Sequence, residues 1–202
     1  MKVFNMKRLL LILILTLSFH SLTKADDIRD FQIEGMSVGD NLLDHVSKKV
    51  IGSEITSEYA YWYKQNKFVA ISLWDKKDSF NRYEDVGVTI KPDDYKNYEI
   101  FSLYGKIWFE NKNINECYNK QNEIYADIKN SFFDLVIKEK DWIVPKKRVA
   151  SHLLSIKYRD LFFIDGKIRV VCYERTNGRD LLQVVINQNE FIEYLQSIAS
   201  DD

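Results

Sequence analysis

Apolar residues recur along the chain at two spacings, one of three and four residues and one of two, and the switches between them divide it into helical and strand-like segments. Asp30-Phe31-Gln32-Ile33-Glu34 alternates like a short strand. Gly35-Met36-Ser37 follows, and Ser37 is placed to cap a helix over 38–46 whose apolar face is Leu42, Leu43 and Val46. A further helical turn is expected over 47–51, stopping at Gly52. The aromatic stretch 59–63 suits either helix or strand. Segments 68–74, 83–91 and 98–109 are rich in β-formers and separated by charged loops and Pro92, which predicts three consecutive antiparallel strands.

From Asn113 the period changes. Ile114, Cys117, Ile124, Ile128, Phe132 and Leu135 form one helical stripe, so a long helix is expected over 113–136. After a connector holding Pro145, strand-like sequence returns over 149–163, 168–173 and 181–186. Asp165-Gly166 predicts a two-residue hairpin with positive φ at both central residues, and Thr176-Asn177-Gly178 marks the next break. A closing helix over 189–199 puts Phe191, Tyr194, Leu195 and Ile198 on one side. Strands in hairpin-linked runs, with helices between the runs, indicate an α+β fold rather than a parallel βαβ sheet. The expectation is antiparallel sheet from two three-stranded runs packed on a long central helix, with short helices at either end.

The amino end modifies that picture. Lys2, Lys7 and Arg8 precede an apolar run over 9–19, and small or polar residues lead to Thr23-Lys24-Ala25. That order is the pattern of a secretory signal peptide over 1–25, leaving a single α+β domain over 26–202 in the periplasm or outside the cell. The rival reading is a membrane anchor, but a bilayer span takes about 20 apolar residues and this run is broken by His20, Ser21 and Lys24. Among all 202 residues, 29 bases face 30 acids; losing the leader removes four bases and no acid, a balance of −5. A nucleic-acid partner is not expected, because its phosphates call for a basic footprint. The densest basic stretch, 138–148, also holds Glu139 and Asp141 and reads as a solvated connector.

Both cysteines lie beyond the leader, and two cysteines in an exported chain suggest a disulfide. Cys117 sits on the helical stripe and Cys172 shares a strand face with Ile168 and Val170, so both point toward the core. Closing that loop of about 55 residues stabilises a fold by roughly 4 kcal/mol in the chain-entropy picture. Two separate buried thiols satisfy the same pattern, since free Cys packs as a small hydrophobe.

Motifs of chemistry are scarce. His45 and His152 stand in unlike contexts without metal-ligand spacing, and the scattered glycines form neither a nucleophile elbow nor a phosphate loop. No cofactor or metal is expected. Glu84-Asp85 and Asp93-Asp94 are adjacent carboxylates, which on a strand point to opposite faces. The one feature that suits recognition is the aromatic run Tyr59, Tyr61, Trp62 and Tyr63, because rigid rings bind sugars, peptides and other rings with little loss of entropy. Core packing is the plainer expectation for it, as aromatic residues are spread along the whole chain.

The segment Asp30-Phe31-Gln32-Ile33-Glu34-Gly35-Met36-Ser37-Val38-Gly39-Asp40-Asn41-Leu42-Leu43-Asp44, with Ile114-Asn115-Glu116-Cys117-Tyr118, resembles a family of small exported bacterial proteins of no known activity. The resemblance spans the chain beyond the leader and implies no catalytic residue. More loosely, a Gly-Met-Ser turn ahead of a meander is similar to outer-membrane assembly lipoproteins and β-lactamase-inhibitor proteins, without the lipid-acceptor Cys of the former. The functional expectation is a non-catalytic domain holding a protein or glycan of the cell envelope; the alternative is an exported hydrolase using dispersed Asp and Glu side chains.

Overall fold

A computed structural model of the chain describes residues 27–73, 79–92, 98–110, 113–131, 136–143, 153–163, 165–175 and 178–200. Eight strands, β1 (Tyr61–Trp62), β2 (Val69–Ser72), β3 (Asp85–Ile90), β4 (Ser102–Phe109), β5 (Val136–Ile143), β6 (Leu153–Phe162), β7 (Gly166–Arg175) and β8 (Asp180–Gln188), form one sheet in the order β1-β2-β3-β4-β8-β7-β6-β5. The α-helices are α1 (Lys48–Ile55), α2 (Ile114–Ser131) and α3 (Asn189–Ala199). The fold is therefore α+β. It consists of two four-stranded antiparallel meanders, β1–β4 and β5–β8, joined by the antiparallel pairing of β4 with β8.

Period-two alternation gives the sheet two unlike faces. Val86, Val88, Leu103, Ile168, Val170, Cys172, Leu182, Val184 and Ile186 are buried in the main core on one face. α2 packs there, bound to β7 by the Cys117–Cys172 disulfide with Cα atoms 6.0 Å apart. The two-thiol alternative is thereby set aside. Gln121 is fully buried on the same helical face and donates from Nε2 to the Val170 carbonyl at 2.9 Å. α3 builds a smaller cluster from Phe191 and Tyr194 with Phe68 and Phe101, with Leu195 and Ile198 against it.

Several expectations need correction. The runs hold four strands each: β5 occupies residues expected to end the long helix and to form the basic connector. Lys and Glu in Val136–Ile143 favour helix locally, but eight residues in register with β6 override that preference. The connector's remaining residues, 144–150, lie outside the described residues, as do Phe132, Leu135 and Asp93-Asp94. No strand forms over 30–34; Ile33 and Met36 instead exchange backbone bonds of 2.9 and 3.1 Å around Glu34 and Gly35, at φ 51 and 80. This tight turn aims the Glu34 carboxylate at the backbone N–H groups of Asn81, Arg82 and Tyr83, which donate at 2.9, 2.7 and 3.0 Å.

Nor does an α-helix form over 38–46. The Ser37 N–H is taken by Asp40 Oδ2 at 2.8 Å, Gly39 has φ 87, and Asn41 caps only a single 3-10 turn, Leu42–Asp44. α1 begins where Ser47 caps it but runs through the exposed Gly52 to Ile55. In the β6–β7 hairpin the Phe163 N–H donates to the Gly166 carbonyl at 2.9 Å, so Gly166 belongs to β7 rather than to the centre of the turn and does not take the expected positive φ. Gly166 is required there for a different reason: a Cβ would run into the Asn187 carbonyl oxygen.

Candidate functional site

Tyr59, Tyr61 and Trp62 are 72%, 63% and 42% exposed, so the core expectation is overturned for three of the four rings. The cause is the shortness and position of β1, a two-residue strand at the sheet's edge with β2 on one side only. Tyr61 lies opposite Ala70 and Trp62 opposite Val69, and the Tyr63 N–H donates to the Phe68 carbonyl at 3.1 Å. Antiparallel pairs alternate between bonded and non-bonded positions, which turns the backbone N–H and C=O of Trp62 away from β2.

Tyr63 differs from its neighbours. It is half-buried, with its ring centroid 4.8 Å from Tyr61, 5.2 Å from Phe191 and 6.1 Å from Tyr194, all edge-to-face. Burial pushes its phenol up, against the opposing pull of a hydrogen bond to Thr89. Tyr63 therefore ties the exposed rings to the α3 cluster. The loop that follows is held to the same helix: Tyr194 Oη donates to the Lys64 carbonyl at 2.6 Å and Lys64 Nζ to the Ile198 carbonyl at 3.3 Å. Gln65 and Asn66 take left-handed backbone, φ 59 and 53, within this clamp. The result is a ledge of exposed rings at the sheet's edge on a pinned hairpin, with Tyr61 and Trp62, successive on β1, turned to opposite sides of the strand.

The carboxylates are arranged otherwise. Glu84, just before β3, accepts the Trp108 N–H at 2.9 Å and lies 3.5 Å from Arg179, while Asp85 pairs with Lys106 at 2.7 Å, so each is spent on a separate structural contact. Asp27 and Asp165 meet at a cleft of about 650 Å³ lined by Ile28, Arg29, Glu99, Gln188 and Glu190. The Arg29 guanidinium holds Asp27 well below the usual carboxylate range, and burial, then Asp27 itself, raises Asp165. Both Asp27 oxygens are committed to Arg29, from its N–H at 2.8 Å, from Nε at 2.9 and 2.8 Å, and from Nη2. This pair fastens the segment after residue 26 to the β6–β7 hairpin, with Asp27 held ionised by Arg29 and Asp165 shifted toward its neutral form.

His45 Nε2 lies 3.2 Å from Asp40 Oδ2, and His152 is outside the described residues. Among the described residues no cluster of His, Cys, Asp and Glu is arranged to hold a metal, and no helix is long and apolar enough to cross a membrane. Gln121 and the Glu34 carboxylate are the polar groups that sequence reasoning missed, because an isolated Gln or Glu carries no mark of burial. Family models, curated proteins and solved structures offer no match to this chain.

Proposed function

We propose that this chain is an exported, non-catalytic binding domain, periplasmic or secreted, that holds a protein or glycan of the cell envelope on the ledge of Tyr59, Tyr61 and Trp62, with Tyr63 beneath. The observation that carries the reading is three large rings exposed within four residues of chain, on a hairpin clamped to α3. Exposed aromatic groups on a rigid support are the usual anchors of an interface. The disulfide supports export, because such bonds persist in oxidising compartments. The basic-apolar-small order of the first 25 residues supports it too.

Two experiments test the halves of this reading. N-terminal sequencing of the protein from its native host is expected to begin at Asp26; a mature chain that still starts at Met1 overturns export. For binding, Trp62→Ala is expected to leave the melting temperature nearly unchanged and to abolish capture of the partner from envelope extract. A fall in stability on the order of 3 kcal/mol, the signature of a lost core ring, counts against the ledge.

A further inference from the structure

The face of the sheet turned away from α2 has a chemistry of its own. Lys106 on β4, Lys167, Arg169 and Arg175 on β7, and the positions of Lys138 and Lys140 on β5 place six positive charges there. Asp85 and Asp160 return two negative charges, leaving this face at +4 on a chain whose formal balance is −1. The strand order β4-β8-β7-β6-β5 spreads these cations over about 19 Å at roughly 4.8 Å per strand. They remain within reach of water: the Arg169 side chain is 38% exposed and that of Lys106 23%.

We propose that this face is a second binding surface, for a carboxylated polysaccharide. Its cations come from β4, β5 and β7 rather than from β1, and the proposal does not depend on binding at the aromatic ledge.

Three observations select that partner. Cations already stand over the rings: Lys106 Nζ is 4.5 Å from the Tyr104 centroid, Lys138 Nζ 5.0 Å from Phe162, and the Arg175 guanidinium carbon 5.5 Å from Trp108. Each ring thereby holds a positive head above the sheet and offers less bare surface to a neutral sugar. Second, β8, β7 and β6 are interior strands whose backbone groups are spent in the ladders on both sides, so a peptide cannot add here as another strand. Recognition must use side chains. Third, those side chains include hydroxyl and amide groups, with Ser72 Oγ 3.0 Å from Tyr104 Oη and Tyr173 Oη donating to Gln183 Oε1 at 3.2 Å. Sugar hydroxyls both donate and accept, and so match such groups, while sugar carboxylates match the cations.

Titration of the purified chain with polygalacturonate, and separately with poly-glutamate of equal charge, tests the proposal. Polygalacturonate is expected to bind the more tightly, and its affinity to fall steeply with salt as counterions are released. Lys138→Gln with Arg175→Gln is expected to weaken it about tenfold and make the salt dependence shallower. Its melting temperature serves as the check on folding, and Lys138→Gln alone, at an exposed position, gives a smaller loss in the same direction. Lys48→Gln with Lys49→Gln, on α1, and Trp62→Ala on the ledge are expected to change nothing. The proposal is overturned by absence of polygalacturonate binding at low salt or by equal binding of poly-glutamate. An equal loss in the α1 pair would likewise reduce the effect to general attraction for polyanions.

Discussion

The ring of Tyr83 lies on Gly105, where a Cβ would stand 2.5 Å away, and its burial leaves it 9% exposed. Burial pushes its phenol up to about 12, with Arg82 pulling weakly the other way. The neutral form is thus favoured in the folded chain, and the stability this contributes is complete below the unfolded value near 10 and lost as pH rises through about 12. A shift of this size corresponds to about 3 kcal/mol. Tyr83→Phe is therefore expected to flatten the alkaline limb of a melting-temperature profile, while Tyr104 and Tyr173, also raised by burial, keep a residual slope of the same sign. A variant as alkali-sensitive as the parent excludes Tyr83 as the source. At this scale the sequence was informative about apolar residues and poor about polar ones. Ile128 and Cys117 face the core as their spacing implies, whereas Gln121 occupies the same stripe because of one bond to Val170, which no local pattern announces.

Among the elements, α3 matches its expected span of 189–199, since its apolar period is intact and the strand before it ends at Gln188. The helix expected from Ser37 fails for a local reason: Asp40 takes the Ser37 N–H, so the capping residue is itself tied into a turn. The disulfide belongs to this scale because it joins α2 to β7 across 55 residues of chain. Replacing both cysteines by Ala is expected to cost about 4 kcal/mol, seen as a lower denaturant midpoint with the sheet otherwise intact. Most of that cost reflects freedom restored to the unfolded chain, so the parent protein under reducing conditions is expected to approach the variant. A midpoint that moves by less than a few tenths of a kcal/mol would mean that the unfolded chain is already held compact through this loop.

For the whole molecule, the class of fold was legible and its unity was not. Two antiparallel runs follow from hairpin spacing, but their fusion rests on Ser102–Phe109 pairing with Asp180–Gln188, strands about seventy residues apart whose complementarity is invisible to local periodicity. The aromatic run was conspicuous in the sequence; its exposure was not, since it depends on β1 being too short and too peripheral to gain a cover. The cationic face was hidden for a similar reason. Its residues come from β4, β5 and β7, and only the strand order brings them onto one surface.

The eight-residue outer strand β5 has a consequence for how copies of the chain behave together. Two such strands related by a two-fold axis meet antiparallel with each central residue opposite itself. Centring the contact on Glu139 sets Glu139 against Glu139 and Lys138 against Lys140; centring it on Lys140 sets Lys140 against Lys140 and Glu139 against Asp141. Either register faces like charges, so the longest margin left unpaired among the described residues repels its own kind. That protection is electrostatic, and its strength is set by the surrounding medium: dilute solution preserves it, and concentrated salt removes it.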